Sequence, residues 1–266
     1  MRANVHPWPA LGAPPLSVRP GAEPYSHDGT GDLGRTGVVL AHGFTGSPAS
    51  MRPWGQFLAD AGHTVRVPRL PGHGTTWQEM NRTRWQDWYA AVDRAFRELH
   101  EQCDQVFVGG LSMGGALATR LAQEHGPRVK GLMLVNPAYK VEDVRLKALP
   151  VLQAVLPSLP GIGNDIKKPG EDEICYDRIP LKALYSQTQL WATVVRDLPE
   201  VTQPVVLWHS ADDHVVPASS SELFLSRTSS TDVTEHVLHD SFHVATLDHD
   251  APRIFEESVQ FIERLS

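Results

Sequence analysis

The chain is 266 residues long, 41% hydrophobic and 21% charged; this is a globular composition in a length that buries roughly three quarters of the unfolded surface, which excludes disordered and fibrous classes. With 24 Lys and Arg against 31 Asp and Glu the net charge is −7, and no basic run supplies the positive field that holds a phosphate backbone, so a nucleic-acid partner is excluded. Cys103 and Cys175 have neither a disulfide-framework nor a zinc-site spacing and are expected as free thiols.

Residues 1–17 are rich in Pro and Gly and read as a loose tail, with a single α/β domain over 18–266. The tail is broken by prolines and lacks the continuous apolar core of a signal peptide, and no window approaches the ~18 apolar residues of a membrane span. A cytoplasmic, soluble protein without stable membrane insertion is expected. Gly37–Ala41 reads as a buried strand. Ser47 as N-cap and Pro48 at the first helical position then open a helix over Ala49–Ala61, followed by a strand at Thr64–Val67. From about Thr83 to Glu101 an amphipathic helix places Trp85, Trp88, Tyr89, Val92, Ala95, Phe96 and Leu99 on one face, which is core rather than a cofactor box. A strand at Gln105–Val108, a Gly-rich corner and a helix from Met113 to about Glu124 come next. Strands at Val129–Val135, Pro204–Trp208 and His236–Leu238 and a terminal helix over Pro252–Leu265 complete the pattern. Strands alternating with helices imply an α/β fold: a mostly parallel, twisted sheet with helices on both faces. Between Asn136 and about Thr202 the rhythm breaks for roughly 65 residues, too many for an idle loop. Tyr139 to about Ile179 is expected to form a cap insertion, followed by a helix over Leu181–Asp197.

Gly110-Leu111-Ser112-Met113-Gly114 is a G-x-S-x-G sequence between a buried strand and a helix start, the context in which small neighbours let a strained turn present a serine nucleophile. A serine hydroxyl is weak without a base, so an acid and then a histidine are expected further along the chain. Asp212, Asp213 and His214 lie in the loop after Val205–Trp208, and His243 in the loop after Leu238. Both are carboxyl ends of strands, where parallel sheets collect chemistry. His243 is the expected base, leaving His214, His236 and His239 to surface or core hydrogen bonding. Either Asp212 or Asp213 has the chemistry to orient it. For the oxyanion, Met113 offers the N–H after the nucleophile, and in Ala41–Gly46 the turn at Gly43 lets the Phe44 N–H point inward. His42 is expected to fix that loop by hydrogen bonds. No H-E-x-x-H or nucleotide-binding Gly-rich pattern occurs, so neither metal nor cofactor is expected.

These motifs resemble those of the α/β-hydrolase family, and more narrowly those of bacterial monoacylglycerol lipases and the small carboxylesterases. The narrower resemblance runs through Gly21-Ala22-Glu23-Pro24, His42-Gly43-Phe44-Thr45-Gly46, Ser50-Met51-Arg52-Pro53, Asn164-Asp165-Ile166-Lys167-Lys168-Pro169, Asp213-His214-Val215-Val216-Pro217 and His243-Val244-Ala245-Thr246-Leu247-Asp248. It implies the α/β-hydrolase fold and selects Asp213 over Asp212 by the spacing of the acid loop. It also implies a triad of Ser112, His243 and Asp213 that forms an acyl-enzyme on a small-molecule lipid ester, above all a monoacylglycerol. By the same resemblance a small cap covers an apolar acyl tunnel, with Glu173 hydrogen-bonding the glycerol head; taken by itself, Glu173 is equally a solvated surface charge. The run Leu146–Ile162 either faces the acyl chain or packs onto the domain, and lipid contact is expected to be transient and through the cap. The same triad would serve a generalist carboxylesterase on short and medium chains, a thioesterase or a peptidase, because a fold does not set its substrate.

Overall fold

The computed structural model describes residues 17–161 and 163–266; apart from Ser17 the expected tail lies outside the described residues, as does Ile162. In chain order the strands are β1 (Tyr25–His27), β2 (Thr36–Ala41), β3 (Thr64–Val67), β4 (Gln105–Leu111), β5 (Val129–Val135), β6 (Ser158–Pro160), β7 (Arg178–Pro180), β8 (Val205–Ser210) and β9 (Val233–Leu238). The helices are α1 (Arg52–Asp60), α2 (Trp77–Met80), α3 (Trp85–Gln102), α4 (Met113–His125), α5 (Leu149–Val155), α6 (Leu181–Arg196), α7 (Ser219–Arg227) and α8 (Ala251–Leu265). The main sheet runs β1-β3-β2-β4-β5-β8-β9. Only β1 is antiparallel to its neighbour. This is the α/β-hydrolase fold.

The central strands are short runs of Val, Leu and Met because both their faces are covered, and the period-2 alternation of a strand divides their side chains between two layers. Val39, Val106, Val108, Leu132, Leu134 and Leu207 pack with the apolar faces of α3, α4 and α6. Val38, Leu40, Phe107, Met133, Val135 and Trp208 pack with α1 and α8 on the other side. On α3 the expected face is the one that packs: Trp88, Val92, Ala95, Phe96 and Leu99 are buried, and Trp85 and Tyr89 lie at its edge.

Some local expectations shift. Ser47 does cap a turn, its hydroxyl accepting the Ala49 N–H at 3.3 Å, but that turn is a short 3-10 helix over Pro48–Ser50. The α-helix begins only at Arg52, with Pro53 in its first turn. β1 and α7 were not anticipated. β1 has three residues, mostly exposed, so it carries no apolar run. α7 opens on three serines, poor helix formers that mask its buried Phe224.

β4 is central in the sheet and ends against the start of α4, with Ala41 of β2 paired to Gly110. Among the described glycines the closest approach is at this corner. A Cβ on Gly114 would overlap the Ala41 carbonyl, and one on Gly110 would overlap the Gly114 backbone. Gly114→Ala is therefore expected to cost about 3 kcal/mol or more. Gly31→Ala, where nothing lies within 4 Å and only a φ of 66° opposes the methyl, should cost about 1 kcal/mol. Urea denaturation of both variants checks the difference; equal losses would remove close approach as the cause.

Candidate active site

Ser112 follows β4 directly and precedes the first residue of α4, with φ 56° and ψ −119°, a backbone conformation costly for a residue with a Cβ. Hydrogen bonds hold it there. Its N–H donates to the Val135 carbonyl at 3.0 Å, and its own carbonyl accepts from Gly115 at 3.0 Å, Ala138 at 3.1 Å and Ala116 at 3.3 Å. Met113, as the first helical residue, has an N–H with no acceptor one turn back, at the positive end of the helix dipole. The loop after β2 lies against this corner: a Cβ on Gly43 would sit 3.5 Å from Ser112 Cβ and 4.0 Å from Ser112 Oγ. Phe44 follows Gly43 in this loop, its ring edge-on to Trp88. His42 fixes the loop as expected. Its Nε2 accepts the Leu70 N–H at 3.2 Å, which leaves the proton on Nδ1 to donate to the Gly43 carbonyl at 3.0 Å.

The acid and base loops leave neighbouring strands, β8 and β9, whose ends pair as Ser210 with Leu238. His243 Nδ1 lies 2.8 Å from Asp213 Oδ2, while Asp213 Oδ1 accepts the Val215 and Val216 N–H groups at 2.8 Å each. Asp212, by contrast, is 73% exposed and faces His214. Asn136, a residue that sequence reasoning passed over, joins the loops. At φ 43° it donates to the His243 carbonyl at 2.7 Å and accepts the Ser210 N–H at 2.7 Å. Since Ser112 hangs from the preceding residue, Val135, the nucleophile corner and the His243 loop share one anchor. The other histidines stand aside: His214 binds Asp165, His236 binds Arg253, and His73 is buried edge-on to His42.

The insertion between β5 and α6 closes over these loops. The Ser47 hydroxyl donates to the Glu173 carbonyl at 3.0 Å, and the Tyr176 N–H donates to the Thr45 carbonyl at 3.2 Å. Glu173 is half-buried, not a solvated surface charge. Its Oε1 accepts the Asn164 N–H at 3.0 Å, and its Oε2 would stand 3.1 Å from a Cβ on Gly46 in the Phe44 loop. The run from Leu146 divides: Leu149 is buried, whereas Val151 and Val155 are 70% exposed. Among the described residues no cluster of His, Cys, Asp and Glu is arranged to hold a metal ion, and no helix is long and apolar enough to cross a membrane.

A family model described as "Serine aminopeptidase, S33" matches residues 34–250. The chain belongs to this family of α/β-hydrolases. It is 40% identical over 248 residues to the thermostable monoacylglycerol lipase of Bacillus sp. (strain H-257), covering 93% of this chain and 96% of that enzyme. To the carboxylesterase of Bacillus subtilis (strain 168) it is 24% identical over 233 residues, covering 87% of this chain and 94% of that enzyme. A solved structure described under LipS and LipT, two metagenome-derived lipolytic enzymes, superposes with a TM-score of 0.89 at 42% identity, covering 93% of this chain and 100% of that one.

Electrostatics set His243 of this hydrolase apart from His42 and His73. Burial alone would lower the pKa of His243, but Asp213, and behind it Glu173 and Asp165, outweigh burial and leave it raised. Burial raises Glu173, against the lowering effect of the Asn164 N–H and of His243. Burial and then Glu173 push the Cys175 thiol up to about 12, so it is no nucleophile. His42 has no carboxylate beside it and burial pushes it down to about 4, while burial and the neighbouring His42 put His73 well below its ordinary value.

An imidazole kept neutral in the fold binds fewer protons than it does in the unfolded chain between its folded pKa and ~6.5, so stability is lost as pH falls through that window. His243 and His214 are raised, and their contribution is complete once pH is below ~6.5. Raised Glu173 offsets part of the loss. The melting temperature is accordingly expected to fall on acidification from about pH 6.5 to 4.5, with His42 alone supplying on the order of 3 kcal/mol across its full window. Calorimetry at fixed ionic strength checks it; a flat or rising melting temperature would contradict two neutral buried imidazoles.

Proposed function

We propose that this carboxylic-ester hydrolase cleaves monoacylglycerols to fatty acid and glycerol through an acyl-enzyme on Ser112. Ser112 Oγ attacks the ester carbonyl as His243 takes its proton, and Asp213, bonded to Nδ1, holds the ring and stabilises the imidazolium. The Phe44 and Met113 N–H groups receive the oxyanion. Collapse expels glycerol, which takes the proton from His243, and a water activated by the same imidazole releases the fatty acid.

The observation that carries the reading is Glu173: a carboxylate brought by the insertion to the Phe44 loop and within electrostatic reach of His243. An acceptor in that place suits a leaving group rich in hydroxyls, and a charged acceptor is worth roughly 1.5–3 kcal/mol. The 40% identical relative that is a monoacylglycerol lipase supports it. The exposed apolar residues of α5, Val151 and Val155, suit transient contact with the lipid that delivers such a substrate. A generalist carboxylesterase is the second reading, favoured by the likeness to the Bacillus subtilis enzyme.

Initial rates on 1-monoacylglycerol, diacylglycerol, triacylglycerol and a p-nitrophenyl ester of one acyl length separate the two, with the thioester and amide alongside. Preference for the monoacylglycerol is expected; equal or better turnover of the simple ester would make the enzyme a generalist. Glu173→Gln should lower kcat/KM for the monoacylglycerol roughly 10- to 100-fold and spare the p-nitrophenyl ester. Ser112→Ala should lower kcat by about 10⁴ or more. Because the base acts when neutral and its pKa is raised, kcat/KM should fall on acidification with a midpoint above ~6.5. A midpoint below that value would contradict the carboxylate surroundings of His243.

A further inference from the structure

Asp165, in the insertion, is bonded to both the loop of the acid and the loop of the base. Its Oδ2 accepts the backbone N–H of His243 at 3.1 Å and that of His214 at 3.3 Å. Its Oδ1 lies 2.8 Å from His214 Nδ1, and its main-chain carbonyl accepts the Val244 N–H at 3.0 Å. The side chain is only 11% exposed. His214 and Val244 are the residues that follow Asp213 and His243, so one carboxylate and its own carbonyl grip both halves of the Asp213–His243 pair from the backbone side. Asp165 is itself held on two sides. The preceding Asn164, at φ 54°, exchanges hydrogen bonds with Glu173, its N–H to Oε1 at 3.0 Å and its side-chain oxygen from the Glu173 N–H at 2.9 Å. Two and three residues on, Lys167 and Lys168 donate their N–H groups to Asp248, which also accepts from Phe242.

We propose that Asp165 is a positioning residue for hydrolysis: it sets His243 against Asp213, so that the base is competent only when the insertion is seated. The proposal rests on the reading of His243 as the general base. Hydrogen bonds to a carboxylate are about twice as strong as neutral ones, and a displacement of about 1 Å in a catalytic group can cost about 100-fold in rate. The His243 main chain is held at two points: its carbonyl by Asn136, the residue after β5, and its N–H by Asp165 of the insertion. The groups facing the two imidazoles are few. His243 has Asp213, Glu173 and Asp165. His214 has Asp165, Asp212 and Asp213, with the Phe242 ring edge-on at 4.6 Å. Lys167 faces that ring from 5.9 Å and is paired with Asp240.

The test uses the full chain, a soluble p-nitrophenyl ester and a monoacylglycerol, with Asp165→Ala, Asp165→Asn and His243→Ala. Asp165→Ala should lower kcat about 100-fold on both substrates while leaving KM for the small ester within about twofold. In Asp165→Asn an amide oxygen still accepts both N–H groups, so most of kcat should return. The charge is gone, however, and the acid limb of kcat/KM should move to lower pH because one carboxylate that raises His243 has been removed. A simple staple for the insertion would change KM and the melting temperature but neither kcat nor the pH limb. A kcat in Asp165→Ala within about threefold of the parent, or an unmoved acid limb in Asp165→Asn, overturns the proposal; should the alanine variant not fold, the asparagine pH profile decides. His243→Ala keeps the two readings apart. If it retains the parent rate, the general-base reading fails, and if it is inactive while both Asp165 variants behave as the parent, the positioning role alone fails.

Discussion

The serine at the end of the central strand is held in a backbone conformation that a residue with a Cβ avoids, and much of the surrounding sequence is what that requires. At φ 56° Ser112 turns the chain from β4 into α4 within one residue. The turn has room only because Gly110 and Gly114 let β4, α4 and the end of β2 touch backbone to backbone. What this costs in propensity and strain is offset by position, since the serine then stands at the positive end of a helix with an unused N–H beside it. The buried layers on either side of the sheet hold the corner rigid enough for the strain to persist.

The same strain recurs around the site. Among the described residues the non-glycine positions with positive φ are Thr45, Ser112, Asn136, Asn164 and Ile174. Thr45 follows Phe44, Asn136 anchors the His243 loop, and Asn164 and Ile174 flank Asp165 and Glu173. Each lies one residue from, or is itself, a group that the site uses. For asparagine the conformation is inexpensive, but for a β-branched isoleucine it is not, so the surroundings must impose it: Ile174 packs against Gly21, its Cδ1 2.6 Å from where a Cβ there would lie, and sits between Glu173 and Cys175, whose carbonyls are both bonded to other parts of the chain. Such a pattern belongs to a pre-organised site.

Elements whose reasons are local were legible in the sequence. Buried parallel strands announce themselves as apolar runs, and α3 and α8 by their one apolar face, while the elbow needs only its glycines and the strand before it. That an acid and a histidine meet was legible because both of their loops follow strands. Three-residue β1 and serine-led α7 were not, having no periodicity to detect. Nor was the work of Asn136 and Asp165, whose roles exist only between loops that are distant along the chain; an Asn before a Pro reads as a turn, and an Asp in a charged run reads as surface. The choice between Asp212 and Asp213 depended on which carboxylate turns inward, and Glu173 on which way the insertion lies.

The insertion also changes how the fold treats its histidines. His42 and His243 are both buried imidazoles at the carboxyl edge of the sheet, and burial by itself drives both toward neutrality. They end on opposite sides of the ordinary value. The ring nitrogens of His42 meet backbone groups, which need it uncharged, with one nitrogen as donor and the other as acceptor. His243 meets Asp213 from the domain and Glu173 and Asp165 from the insertion. Two of the three carboxylates that let it take up a proton therefore arrive on the insertion between β5 and α6 rather than on the loops that follow the strands. His42 is thus fixed by the domain alone, whereas His243 is tuned by the insertion as well as by the domain.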